Sequence, residues 1–237
     1  MYRLFHEFAH RYDLHTPPGH YKHDHAFVIE KALGAAPSNC RLLDVGCGTG
    51  VFLQAAIAAG INGYGIDAAP EMIDVARQRL GDDRVRVQRM QDISEIEAYD
   101  VICALSWTIH YCQTEAELRD VLQRYRRALK PGGTLLLQVA NDEKMTGEVN
   151  IDRELGPSGN PDDTLFIHRF LPQRDSTHRV IAEYVYTSRT FNELVSDQHI
   201  LEFSNPSAIT QALLQSGFRE ISAIEISAIS PFVICKS

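Results

Sequence analysis

Short apolar runs and longer mixed segments take turns along the chain from Cys40 to Val139. Arg41 to Val45 is the first run and ends in glycines. Gly63 to Ile66, Val85 to Gln88, Asp100 to Leu105 and Thr134 to Val139 are the next four. After its first residue Asp100 to Leu105 is apolar throughout, as a strand buried on both faces has to be. The alanine-rich stretch Val51 to Ala59 suits a helix. Pro70 to Leu80 reads as a second, with Pro70 in the first turn, where its missing N–H is harmless. Thr114 opens a third helix, with Glu117 three residues on in a capping-box pattern, which runs to Leu129 and stops before Pro131-Gly132-Gly133. Strand and helix alternating at this spacing predict a doubly wound parallel sheet.

The rhythm then changes. Leu165 to Leu171, Arg179 to Ser188 and Phe191 to Phe203 read as extended segments with no helix between them, which favours antiparallel pairing. Asn141 to Ser204 is therefore expected to be an insertion, with a loop at Gly156 to Asp163 where Gly, Pro, Ser and Asn crowd. Pro206 to Ser216 reads as a helix ended by Gly217. Phe218 to Ile226 and Phe232 to Lys236 read as a closing hairpin.

The run Asp44-Val45-Gly46-Cys47-Gly48-Thr49-Gly50 stands directly between a predicted strand and a predicted helix. Glycines there permit a tight turn and close approach of backbone to ligand, and the helix start supplies free N–H groups. A dinucleotide fingerprint needs G-x-G-x-x-G. Counted from Gly46, its third glycine would fall on Val51, whereas here it is Gly50. That spacing speaks against a nicotinamide enzyme. Asp67 closes the second strand 17 residues past Gly50. An acid at that address accepts hydrogen bonds from both hydroxyls of a ribose.

These pieces, with Leu129-Lys130-Pro131-Gly132-Gly133, resemble the class I S-adenosylmethionine-dependent methyltransferases. Asp67-Ala68-Ala69-Pro70-Glu71-Met72 resembles the family's acid-x-S-x-x-M stretch, with Ala69 where serine is common. Phe5, Ala9, Tyr12 and Asp13 resemble the F-x-x-x-A-x-x-Y-D opening of many small-molecule members. More weakly, the succession of cap strands, helix and hairpin is similar to amino-sugar N-methyltransferases, and Asp197-Gln198-His199-Ile200-Leu201 falls where such enzymes carry the strand leading to the last helix.

The resemblance implies an α/β fold: a Rossmann-like, doubly wound, mostly parallel seven-stranded sheet ending in an antiparallel hairpin, with a small antiparallel β cap before the last helix. Residues 1–140 and 205–237 would bind the cofactor, with 1–30 a helical lid over it, and 141–204 would form the cap. It implies S-adenosyl-L-methionine as cofactor and S-adenosyl-L-homocysteine as product. Asp44 and the loop Gly46, Cys47, Gly48 and Gly50 would hold the methionine part. Asp67 and Ala68 would meet the ribose, Met72 would pack near the nucleoside, and Asp92 with Ile93 would meet the adenine. Leu105 and Ser106 would line the methyl site, and Tyr12 would close over the cofactor. Tyr21, Trp107, Tyr111 and His168 are the candidate acceptor contacts.

Methyl transfer of this kind is an in-line displacement on a sulfonium that is already activated, so positioning supplies much of the catalysis, roughly 7–11 kcal/mol. A hydroxyl acceptor gains a further ~10²–10⁴-fold from a general base. His110, just beyond the fourth strand and with a near-neutral reference pKa, is the candidate, the equal alternative being a structural histidine that packs the loop; if it is the base, its replacement would lower turnover and spare cofactor binding. Two rival readings use the same loop: a cofactor-binding protein that transfers no methyl group, and a nicotinamide oxidoreductase.

The whole chain narrows the partners. Its 237 residues fit one sizeable domain with a small cap, and 44% hydrophobic with 23% charged residues is globular. A net charge of −8 with no dense Lys/Arg run speaks against nucleic acid. A small-molecule acceptor is expected, and the β cap would either cover the acceptor pocket or form the interface of a homodimer. Arg169, Arg174 and Arg179 would be available to a nucleotide-sugar diphosphate. Cys40, Cys47, Cys103, Cys112 and Cys235 form no CxxC pair, which suggests buried thiols in a reducing, cytoplasmic setting and no zinc site. His20, His23 and His25 match no metal spacing, so no metal is expected. The polar start, Met1 to His10, is unlike a signal peptide, and no apolar run reaches the ~20 residues of a spanning helix, so no membrane association is expected.

Overall fold

The computed structural model describes residues 2–36, 38–154, 159–160, 163–173 and 178–237. Its larger sheet is built from β1 (Arg41–Val45), β2 (Asn62–Asp67), β3 (Val85–Val87), β4 (Tyr99–Ala104), β5 (Leu129–Gln138), β10 (Arg219–Ile224) and β11 (Phe232–Lys236). The order is β10-β11-β5-β4-β1-β2-β3, with β11 alone running against its neighbours.

Side chains along a strand alternate between faces, and the two faces carry different cores. Leu43, Val45, Ile102, Leu135 and Leu137 pack on one face with α5 (Glu115–Ala128) and α6 (Pro206–Gln215), through Leu118, Val121, Leu122, Ile209 and Leu213. Leu42, Val101, Cys103 and Leu136 pack on the other with α2 (Lys22–Ala35), α3 (Val51–Ala58) and α4 (Pro70–Leu80), through Val28, Ala32, Phe52, Leu53, Ile73 and Ala76. Each fully buried aliphatic side chain contributes about 1.5–3 kcal/mol. The doubly wound sheet therefore follows from strands that are apolar on both sides.

Helix ends follow their caps. Thr114 Oγ1 accepts from Glu117 N at 3.1 Å, while the Glu117 carboxylate reaches back to Gln113 N at 2.7 Å, one residue earlier than a capping box prescribes. Asn205 Oδ1 caps α6 by accepting from Ser207 N at 2.9 Å and Ala208 N at 3.3 Å.

Two boundaries differ from the pattern reading. β5 begins at Leu129, so Pro131-Gly132-Gly133 lies inside the strand, where a register shift against β4 absorbs it. Residues 1–30 are not one lid, because α2 is a core helix with Val28 and Ala32 fully buried. Only the stretch before it, including the single turn α1 (Tyr12–His15), runs over the carboxyl ends of the strands.

Between β5 and α6 stands a separate antiparallel sheet, β6 (Asn150–Glu154), β7 (Thr164–Pro172), β8 (Val180–Ser188) and β9 (Glu193–Leu201), in that order. β6 escaped the pattern reading because Asn-Ile-Asp-Arg-Glu is polar and largely exposed, as an edge strand can be. Register puts Phe166, His168, Phe170, Ala182, Tyr184, Tyr186, Asp197 and His199 on one face. Ile151, Ile167, Val185, Leu194 and Ile200 share the other. The expected loop at Gly156 to Asp163 lies mostly outside the described residues. All five cysteines are free and buried. Among the described residues no helix is long and apolar enough to cross a membrane.

Candidate active site

β1 and β4 are adjacent in the sheet but lead into connections on opposite faces, so a crevice opens beyond their carboxyl ends. The glycine loop follows β1 and forms its floor. Gly46 N and Cys47 N both donate to Ile66 O, at 2.8 and 3.0 Å, which folds the loop back over β2. Gly46 and Gly50 have φ of +74° and +80°, a region that side chains disfavour. A Cβ on Gly46 would also sit 2.4 Å from Thr108 Oγ1. Gly50 does not line the crevice; it starts α3 and packs against Leu80 and Ala76, a role in the fold rather than in contact with a ligand.

Beyond the loop lies a cleft of ≈ 390 Å³, bordered by Phe5, Tyr12, Gly46, Gly48, Asp67, Ala68, Met72, Ser106 and Tyr111 among others. A smaller recess of ≈ 80 Å³ shares Tyr12, Gly46, Gly48 and Ser106 with it and adds Asp44, Cys47, Leu105 and Tyr21. Asp67 Oδ2 accepts from Gly48 N and Oδ1 from Ala69 N, both at 2.9 Å. Each oxygen keeps a lone pair for a further donor. Burial pushes the Asp67 carboxyl up, against the pull of those backbone donors.

Asp44 is more extreme. It is 2% exposed, and its side-chain hydrogen bond is with Cys103 Sγ, at 3.6 Å. Burial pushes its pKa up to about 7, and the nearby Asp67 charge adds to that. Neither carboxylate has an ion pair among the described residues. One buried and one half-buried acid, whose acceptor capacity exceeds their donors, fit a ligand with hydroxyls at one end and positive charge at the other.

The amino-terminal segment is clamped onto this floor. Asp13 accepts from Thr49 Oγ1 at 2.7 Å and from Arg79 at 2.6 Å, tying α1 to the glycine loop and α4. Tyr12 and Tyr21 line the same recess, and burial raises both phenol pKa values. His6 reaches Glu71 at the start of α4, 2.8 Å away.

After β4 the chain turns sharply. Ser106 and Trp107 both have positive φ, +47° and +66°, uncommon for residues with side chains. The turn is braced by Gln138, whose Oε1 accepts from Ser106 N at 2.9 Å and whose Nε2 donates to Asp24 at 2.7 Å. Backbone in such a region persists only where surrounding contacts over-determine it.

His110 is corrected by this geometry. It is fully buried and borders neither recess. Its Nε2 accepts from Ala140 N and its Nδ1 donates to Glu202 O, both at 2.8 Å. A nitrogen that accepts from a backbone N–H carries no proton and has no lone pair to spare. Burial lowers the pKa to about 4, which keeps the ring neutral. It is a structural bridge and not a general base.

Other candidates also move. Asp92 is exposed and Ile93 lies in the core; the wall they were expected to form consists of Gln88 to Gln91. The turn Met90–Asp92 points its first residue inward, which spacing alone does not reveal. Trp107 donates to Ser230 Oγ at 2.9 Å and meets Phe170 edge-on, bracing the turn without lining the cleft. His168 sits in the aromatic row of the cap between Phe166 and Phe170. Arg169 lies on the opposite cap face, paired with Glu183, and Arg179 pairs with Glu202; Arg174 is outside the described residues. The reading missed Asp197 and His199 as a pair: the Asp-x-His spacing on a strand was the sign that both face one way.

Residues 43–135 match a family model described as a methyltransferase domain. A dTDP-4-amino-2,3,4,6-tetradeoxy-D-glucose N,N-dimethyltransferase of Saccharopolyspora spinosa is 30% identical over 111 residues, 47% of this chain and 45% of that protein. A malonyl-[acyl-carrier protein] O-methyltransferase of Serratia marcescens is 33% identical over 111 residues, 46% of this chain and 42% of that one. The chain thus spans about half the length of the curated relatives it matches. An S-adenosylmethionine-bound amino pentose methyltransferase from Micromonospora echinaspora shares the fold over 90% of both chains, with TM-score 0.73 and 23% identity. DesVI of Streptomyces venezuelae does so over 91% of both, with TM-score 0.76 and 19% identity.

Proposed function

We propose that this chain, whose residues 43–135 match a methyltransferase-domain model, transfers a methyl group from S-adenosylmethionine to an amine or hydroxyl of a small molecule, with an amine as the first choice. The observation that carries the reading is Asp67, a half-buried carboxylate that holds the glycine loop through Gly48 N–H yet keeps an acceptor lone pair on each oxygen at the edge of the cleft. When bound, S-adenosylmethionine supplies a methyl group already activated on a sulfonium sulfur. Asp67 would hold the ribose hydroxyls, and Asp44 the positively charged methionine end beside Gly46 and Gly48. Met72 and Gln88 to Gln91 would flank the nucleoside, and Tyr12, where the two recesses join, would lie over the cofactor. Leu105, Ser106 and Tyr111 would face the methyl group and its acceptor.

The preference for an amine rests on arrangement. The overall fold, which here includes a β sheet inserted between β5 and α6, is similar to that of the amino pentose methyltransferase over 90% of this chain. This sheet would serve as a cap distinct from the cofactor-binding unit. Its outer face exposes Ile151 at 50%, Leu194 at 76% and Ile200 at 38%, a surface that fits a second copy of the chain. Light scattering should then return twice the 26.6 kDa chain mass; a monomer at micromolar concentration removes the dimer. Five buried free thiols suit a reducing compartment, and we read the protein as cytoplasmic.

The main test is calorimetry with S-adenosylmethionine and S-adenosylhomocysteine, then turnover on two acceptor panels. One is led by dTDP-4-amino-2,3,4,6-tetradeoxy-D-glucose and the other by simple phenols. Asp67→Ala should weaken cofactor binding by about tenfold to a hundredfold, the loss of charge-assisted hydrogen bonds worth roughly 1.5–3 kcal/mol. Binding without turnover on any acceptor would favour a non-methylating cofactor-binding protein. NAD binding in its place would favour an oxidoreductase.

A further inference from the structure

Asp197 and His199 lie two residues apart on β9, so both side chains face the cleft side of the cap. His199 is 1% exposed. Its Nδ1 meets Tyr111 Oη at 2.7 Å and its Nε2 meets Asp197 Oδ2 at 3.0 Å. Asp197 Oδ2 is fixed further by Leu4 N at 2.9 Å, and its Oδ1 by Gln198 N at 3.0 Å. Tyr111 borders the cleft together with Ser106 and Thr108. A carboxylate only accepts, so Nε2 carries the ring proton, and Nδ1 is left to accept from the phenol.

The contrast with His110 is chemical. Both nitrogens of His110 end on the backbone, which can neither take nor give a proton. Both nitrogens of His199 end on titratable side chains, and one of those opens onto the cleft. Tyr2, Phe5 and Tyr184 enclose the ring, and the Arg3–Glu7 pair lies in the field of Asp197.

We propose that Tyr111, His199 and Asp197 form a proton relay for methyl transfer, with Tyr111 as the catalytic residue touching the acceptor and the other two as positioning residues. This rests on the methyltransferase reading above. As the acceptor atom gains the methyl group, the sulfur keeps the bonding pair. The proton leaving the acceptor passes to Tyr111 Oη while the phenol's own proton passes to His199 Nδ1. The imidazolium so formed is held beside the Asp197 carboxylate and returns its extra proton to solvent by the reverse path after product leaves. Burial raises the Tyr111 pKa and lowers that of His199 against the pull of Asp197, so the resting relay is neutral phenol and neutral imidazole.

Two measurements decide it. Nitrogen-15 histidine ring spectra at pH 7.5, with S-adenosylhomocysteine bound, should show His199 neutral, protonated on Nε2, with an Nδ1 resonance that shifts in Tyr111→Phe. A charged ring, or a proton on Nδ1, overturns the relay whatever the turnover. On the acceptor panels, Tyr111→Phe and His199→Gln should each lose about a hundredfold in kcat, with cofactor affinity and acceptor KM held within twofold. Full kcat in Tyr111→Phe beside an active wild type overturns the relay and leaves methyl transfer standing. An inactive wild type that binds no cofactor overturns the methyltransferase reading and the relay's role with it.

Discussion

The Kd for S-adenosylmethionine should rise about twentyfold between pH 7.5 and pH 5.5 if a carboxyl with pKa about 7 has to be ionised to meet a cation. Asp44 is that group. In the free protein burial makes its charged form a cost, fully felt above pH 7 and gone once the carboxyl is protonated. A ligand bearing ammonium and sulfonium charge offsets the cost, so binding favours the carboxylate, and affinity falls as protons compete for it. Asp44→Asn is close to isosteric and keeps an oxygen to accept from Cys103. Its Kd should be about tenfold or more weaker at pH 7.5 and nearly flat down to pH 5.5. His6 also borders the cleft, so the double variant with His6→Gln separates its contribution from that of Asp44. An unchanged pH dependence in Asp44→Asn would mean that Asp44 does not meet the cationic end.

Asp44 also shows what a sequence discloses. Its place before the glycine loop was legible, because strand, loop and acid occupy a fixed order along the chain. Its unpaired state was not, since that depends on Cys103 and Asp67 arriving from β4 and β2. The seven-stranded sheet was legible for a similar reason: strands apolar on both faces admit few partners. The polar edge strand β6 was not, because only its pairing with β7 makes it a strand. The same division runs through the site. Gly46, Gly48 and Asp67 are contiguous with predicted strand ends, and all three border the cleft. Gln88 to Gln91 and the Tyr111–His199–Asp197 chain depend on a turn and on the docking of the cap, which no local pattern encodes. His110 had the right address for a base, but a position just beyond a strand does not say which way the ring points.

His110→Ala is therefore expected to unfold the protein more readily rather than slow a chemical step. The ring joins three segments: the turn after β4, the end of β5 through Ala140 N, and the β9–α6 connection through Glu202 O. The last of these is bonded a second time, by Glu202 N donating to His110 O at 2.9 Å, which the substitution leaves in place. Removing a fully buried ring leaves a cavity, and both backbone partners lose a hydrogen bond, each worth about 1–3 kcal/mol when left unmade. A loss of about 3–5 kcal/mol follows, and at roughly 2–4 °C per kcal/mol for a chain of this size the Tm should fall by about 6–20 °C. His110→Gln keeps an acceptor near the place of Nε2 and should recover part of the loss. Below the transition, both variants should bind S-adenosylhomocysteine within about threefold of wild type, because the ring borders neither recess. If His110→Ala instead keeps its Tm and loses turnover a hundredfold, the histidine is the base after all, and the proton path through Tyr111 is the reading to abandon.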